Sequence, residues 1–224
     1  MNSLNENIFN RQYGLEKQVQ ELYDPALPYH NFNHILNTLE FAENIVKDCL
    51  NQNISINSEI VYLAVLFHDA GYYENHTSLG FETKEAYSAE LAGKILSQYR
   101  YSESDIDRIK EAILSTEKNA TFETPEQKAV RAADLAGMAD SYSFFLINNL
   151  RLKAEYELLN NSILSWDSWK KASTSLVEEF VSSEICLTDY FQKRGETSPF
   201  EDAVRKNLTE LSLESEQPKM PNYR

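Results

Sequence analysis

An all-α fold is predicted from three features of the sequence. Six Gly and six Pro in 224 residues leave few turns and long segments between them. Apolar residues recur at three- and four-residue spacing from end to end, and no stretch alternates convincingly in the manner of a strand. No internal repeat or low-complexity linker interrupts the pattern, so one helical domain over 1–213 is expected, with 214–224 a frayed polar tail.

The elements follow in order. A first helix is predicted over about 5–23, stopped by Pro25 and Pro28. A second covers about 32–50. On a helical wheel Ile35, Leu39, Phe41, Ala42, Ile45, Val46 and Cys49 share one arc, opposite Glu40, Asn44 and Lys47, and His34 falls at the edge of the apolar side. A third runs about 58–69 and ends in His68-Asp69, with Gly71 expected to supply a left-handed stop. A loop over 70–80 is long enough to act as a lid. Helices follow at about 82–100 and from Ser102, where Asp105 sits three residues on. Thr124-Pro125-Glu126-Gln127 combines an N-cap, a first-turn Pro and Gln at N3, and opens a helix of small residues suited to close packing. Long amphipathic helices are predicted over 141–160 and 166–192, and Ser198-Pro199-Phe200-Glu201 starts a last one ending near 213.

Charge narrows the function classes. A formal net charge of −14 disfavours contact with a nucleic-acid duplex or an anionic membrane surface, both of which need clustered Lys and Arg. Two distant cysteines, Cys49 and Cys186, point to free thiols. With no basic-then-apolar leader and no run of 18 apolar residues, a cytoplasmic location is expected.

The chemistry gathers around Ala64-Val-Leu-Phe-His68-Asp69-Ala-Gly71. A carboxylate at a helix C-terminus opposes the macrodipole at a cost of roughly 0.3–1 kcal/mol, and a bound cation would compensate. All four histidines, His30, His34, His68 and His76, fall within one short window. His34, His68, Asp69 and Asp134 would supply two nitrogen and two oxygen donors from three helices, a set suited to a first-row divalent ion with positions left open. Asp134 stands on a helix that is apolar nearly all round, and a buried carboxylate needs a partner. That partner is either the cation or Arg131, one turn back.

Taken together, Tyr29-His30-Asn31-Phe32-Asn33-His34, Phe67-His68-Asp69-Ala70-Gly71-Tyr72, Glu85-Ala-Tyr-Ser88-Ala89 and Arg131-Ala-Ala-Asp134-Leu resemble the HD-domain superfamily of metal-dependent phosphohydrolases, over roughly residues 25–140. The resemblance is strongest to a bacterial branch described as predicted metal-dependent HD phosphohydrolases. It implies a single HD-type helical bundle with additional helices over 141–213, and His34, His68, Asp69 and Asp134 as metal ligands. The His30-Asn31-x-x-His34 spacing is also similar to that of cyclic-nucleotide phosphodiesterases, which implies a proton-donating role for His30. Family members with two metals use further histidines between the doublet and the last Asp. Here none follows His76, so one divalent ion is expected, with Mn, Fe, Co, Ni, Zn and Mg not distinguished.

Around that core, Glu74 is a candidate to activate water, and His76, Arg131 and Lys94 are candidates to bind a small phosphorylated substrate. Glu85 and Ser88 are expected to brace the site. The leading function is hydrolysis of a small phosphate ester, a nucleotide being one candidate. The alternative is an HD module that binds a nucleotide or a metal without turnover. Trp166, Trp169 and Phe180 are candidates for a homodimer face.

Overall fold

The structure, a computed structural model, describes residues 8–220. Among them the only regular elements are helical: α1 (Tyr13–Gln20), α2 (Phe32–Asn51), α3 (Ser58–Phe67), α4 (Lys84–Gln98), α5 (Glu103–Leu114), α6 (Pro125–Ala136), α7 (Tyr142–Asn160), α8 (Trp166–Val181) and α9 (Pro199–Leu213). A short 3-10 turn, His76–Leu79, interrupts the loop before α4. None of the described helices is long and apolar enough to cross a membrane.

α3 is the hub because its sequence is apolar on every side. Each residue from Ile60 to Phe67 is buried, and α2, α5 and α6 pack around it. Such a helix has no solvent face to offer, so neighbours must surround it. Its one phenol, Tyr62, accepts from the Gln12 amide at 3.0 Å and donates to Glu16 at 2.7 Å. Arg11 in turn grips Glu16 through two bonds of 2.7 Å. The Ala-rich face of α6, with Ala129, Ala132 and Ala133 buried, lies against α2 and α3. Phe41 of α2 meets Phe144 of α7 edge-on at 5.8 Å, which ties the C-terminal helices to this core.

Local capping chemistry sets most boundaries. Asn31, Asn57, Thr83, Ser102, Thr124, Ser141, Ser165 and Ser198 each accept a backbone N–H of the first turn they precede. At Thr124 the reciprocal bond from Gln127 completes the box.

Three boundaries differ from expectation. α1 begins at Tyr13 because Phe9 is buried and the Tyr62 hydroxyl caps Gln12, a contact fifty residues distant in sequence; the expected residues 5–7 lie outside the described ones. α8 stops at Val181, eleven positions short of 192. A continuous helix would place Ile185 about 200° round the wheel from Leu187, yet both are buried. The chain turns instead, through Cys186 at φ 47°, and sets Phe191 against Phe200 at 5.1 Å. The tail is also anchored at its start, where Glu214 accepts from Tyr142 at 2.9 Å and from Lys170 at 2.6 Å.

Trp166 and Trp169 belong to the chain's own core, each 8% exposed. They face the interior and offer no dimer face for that reason. Both cysteines are free, as expected.

Candidate metal centre

His34 enters from the first turn of α2, His68 and Asp69 from the turn that ends α3, and Asp134 from the last turn of α6. The packing of these three helices brings the four donors together. His68 Nε2 lies 3.2 Å from Asp69 Oδ2 and 3.5 Å from Asp134 Oδ1. His34 Nε2 lies 3.5 Å and 3.8 Å from the same two oxygens. One donor atom from each of His34, His68 and Asp134 falls within 4.8 Å of the others.

The chemistry of these donors fits a cation. Both Nε2 atoms are buried without a hydrogen-bond partner, although two carboxylates stand beside them. The tautomer of His68 is set from behind, where Nδ1 donates to Val65 O at 2.8 Å. That leaves Nε2 as the nitrogen facing the carboxylates, the arrangement a ligating imidazole takes.

Electrostatics agree. Burial pushes the His34 pKa down to about 4, so this ring is neutral near pH 7. Burial acts on His68 in the same sense, but Asp69 and Asp134 outweigh it and raise that pKa well above the ordinary value. Asp69 is held far below the usual carboxylate range: burial opposes ionisation, and the charges of Lys84 and His68 overcome it. Asp134 is lowered for a like reason, with His68 as its main partner against burial. Two ionised carboxylates and the neutral His34 suit a divalent ion as they stand, and His68 would release its extra proton on binding one.

A brace of side chains shapes the turn. Gly71 N donates to Ser88 Oγ at 2.9 Å, and Tyr23 donates to Leu66 O at 2.9 Å. Lys84 Nζ reaches Asp69 at 3.0 Å and Glu85 at 3.1 Å, and stands 4.9 Å over the Tyr72 ring. Tyr72 stacks on His30 at 3.6 Å. The role of Gly71 differs from the left-handed stop expected of it, for its φ is not positive. It is a glycine because α4 approaches so closely. A Cβ there would lie 2.7 Å from Tyr87 Cδ1, 3.0 Å from Ser88 N and 3.1 Å from Lys84 O. Two of those neighbours are backbone and cannot yield, so Gly71→Ala should cost roughly 1–3 kcal/mol in a urea or thermal unfolding measurement. An unchanged midpoint would remove this account of the glycine.

His30 stands beside the cluster, its ring 5.9 Å from that of His34. Its Nδ1 is hydrogen-bonded to Glu155 of α7. The same carboxylate accepts the backbone amides of Tyr29 and His30 at 2.9 and 2.8 Å. Burial would raise the Glu155 pKa, but these bonds, His30 foremost, hold it below the ordinary value.

The remaining candidates lie elsewhere. Glu74 is exposed, with no side-chain partner among the described residues. His76 opens the 3-10 turn and is half-buried. Lys94 points to solvent and pairs with Glu90 at 3.5 Å. Arg131 is only 1% exposed; it donates to Thr116 O at 2.7 Å and packs 4.9 Å from the Phe180 ring. It neither pairs with Asp134 nor reaches a surface where substrate could meet it. Lys84 and Glu155 are charged residues of the site that sequence spacing does not reveal. Lys84 stands at the first position of a helix, where a cation reads as solvated, and Glu155 meets His30 across 125 residues of sequence.

Comparison with known proteins agrees with this arrangement. The family model described as "HD domain" matches residues 31–138, a span that contains His34, His68, Asp69 and Asp134. An uncharacterized protein of Clostridium beijerinckii (strain ATCC 51743 / NCIMB 8052) is 33% identical over 105 residues, which is 46% of this chain and 62% of that protein.

Proposed function

We propose, from the match of residues 31–138 to the HD-domain model, that the chain is a metal-dependent phosphohydrolase of a small phosphate ester. One divalent ion would be held by His34, His68, Asp69 and Asp134. The observation that carries the reading is the pair of buried, unpartnered Nε2 atoms facing two carboxylates. A divalent ion in such a donor set supplies Lewis acidity toward a phosphoryl oxygen and acidifies water.

The chain's own groups do the rest. The Glu155 carboxylate and the Tyr72 ring hold the imidazole of His30 from its edge and its face. With Nδ1 engaged, Nε2 is left to deliver a proton to a leaving oxygen. Lys84 keeps one oxygen of Asp69 engaged at 3.0 Å. The other oxygen remains on the side of the histidines.

The alternative of binding without turnover draws on the same Lys84, whose ammonium already neutralises one of the two carboxylates. The test is to measure metal content of protein never exposed to chelator and to assay it on a panel of phosphate esters, before and after chelation. About one ion per chain and chelator-sensitive hydrolysis are expected. Chelation should also lower the melting temperature, since an ion at several hundredfold above its Kd stabilises the folded state by roughly 3–4 kcal/mol. A stoichiometry near two, or none, would overturn the single-ion site. Metal binding without hydrolysis of any ester would leave only the binding module.

A further inference from the structure

Beside the ligand cluster a cavity of about 80 Å³ opens between α2 and α7, with His34 and Asp134 in its lining. Its walls include Asn33 and Asn37 from α2, and Asn148 and Arg151 from α7. Arg151 is half-buried and has no hydrogen-bond or ion-pair partner among the described residues. The side-chain amides of Asn33, Asn37 and Asn148 are likewise unengaged among them. Gly137 keeps the far wall open, since a Cβ there would come within 3.1 Å of Phe144 Cε1 and 3.4 Å of Asn148 Nδ2. Polar side chains that could have paired with one another have been left facing a common space.

Three points favour an anion beside Arg151. The chain carries a net charge of −14, so an anionic ligand needs a local cation to bind. Lys94 and Arg131, the other basic candidates, are turned to solvent and buried in the core respectively. Arg151 also stands four residues before Glu155, so the two project from the same side of α7. One helix thereby brings a guanidinium and the carboxylate that holds His30 to one side of the ligand cluster.

We propose that Arg151 grips the phosphoryl group of a small phosphate monoester, whose alcohol part carries hydrogen-bonding groups that meet Asn33, Asn37 and Asn148. This rests on the hydrolase reading and names its substrate class. A guanidinium fork matches two oxygens of a phosphate dianion, which an ammonium meets only as a point charge. Each carboxamide offers both a donor and an acceptor, the complement of a hydroxyl or a heterocycle edge.

The test titrates inorganic phosphate into metal-loaded wild type, Arg151→Gln and Arg151→Lys, with metal content and melting temperature recorded for each. Phosphate should bind the wild type, and Arg151→Gln should weaken it about ten- to a hundredfold, the range for loss of a charge-assisted contact. Arg151→Lys should fall between them. The KM for a monoester should rise in the same order, and that for bis(p-nitrophenyl) phosphate, a monoanion, should rise less. Equal phosphate affinity in wild type and Arg151→Gln would overturn the proposal, as would a wild type that binds no phosphate. If esters are hydrolysed while Arg151→Gln is unaltered, this assignment fails and the hydrolase reading stands. If phosphate binds through Arg151 but no ester is turned over, the hydrolase reading fails and the anion site stands.

Discussion

His68→Ala should strip the chain of its divalent ion and abolish metal-dependent hydrolysis. His68 is 1% exposed, its Nε2 is the donor nearest both carboxylates, and Val65 O fixes its tautomer. The substitution leaves His34 as the one imidazole in the cluster. His30 cannot move in as a substitute, because Glu155 and Tyr72 hold it elsewhere. Groups that merely orient a ligand are worth about 10- to 100-fold in affinity, so losing a ligand itself should cost at least about a hundredfold. Asp69→Asn should act in the same direction while keeping the side-chain shape that Lys84 contacts. The cleanest readout is the melting temperature with and without added metal. Wild type should rise on addition, and both variants should not. A His68→Ala protein that retains one ion through dialysis and still melts higher with metal would remove His68 from the ligand set.

His30→Ala should keep the metal and lose on the order of a hundredfold or more in turnover, the usual contribution of a positioned proton donor. The loss should be largest for alkyl esters, whose leaving oxygen needs a proton, and smallest for nitrophenyl esters, whose leaving group does not. Glu155→Gln should show the same pattern at smaller size. Gln can still accept the amides of Tyr29 and His30, but it brings no charge to the His30 ring. Assay of both variants on both esters, with metal content measured in each, decides the matter. An equal loss on the two esters would take His30 out of the acid role and Glu155 with it.

What the sequence determined by itself is what its near neighbours along the chain determine. Caps at Ser102, Thr124 and Ser198 act within one turn of backbone, so the starts of α5, α6 and α9 were legible. The unbroken apolar run before His68-Asp69 implied a surrounded helix, and the wheel of α2 turned His34 inward, because a 3.6-residue period fixes which residues share a face. That His34, His68, Asp69 and Asp134 share one site was expected from their residue types and from the family resemblance. Spacing alone does not set how helices rotate against one another.

The tertiary structure decided whatever depends on that rotation. Arg131 and Arg151 are both helical arginines near the site in sequence or in space. Packing sends the first under Phe180 and leaves the second in the cavity beside Asp134. Lys84, and not Lys94, meets the carboxylate of Asp69, since the Gly71 turn presses on the start of α4 and not on its exposed later turns. Glu155 finds His30 from 125 residues away. Such pairings arise only when apolar faces have already docked, because burial of those faces, and not the attraction between the charges, supplies the energy that brings them together.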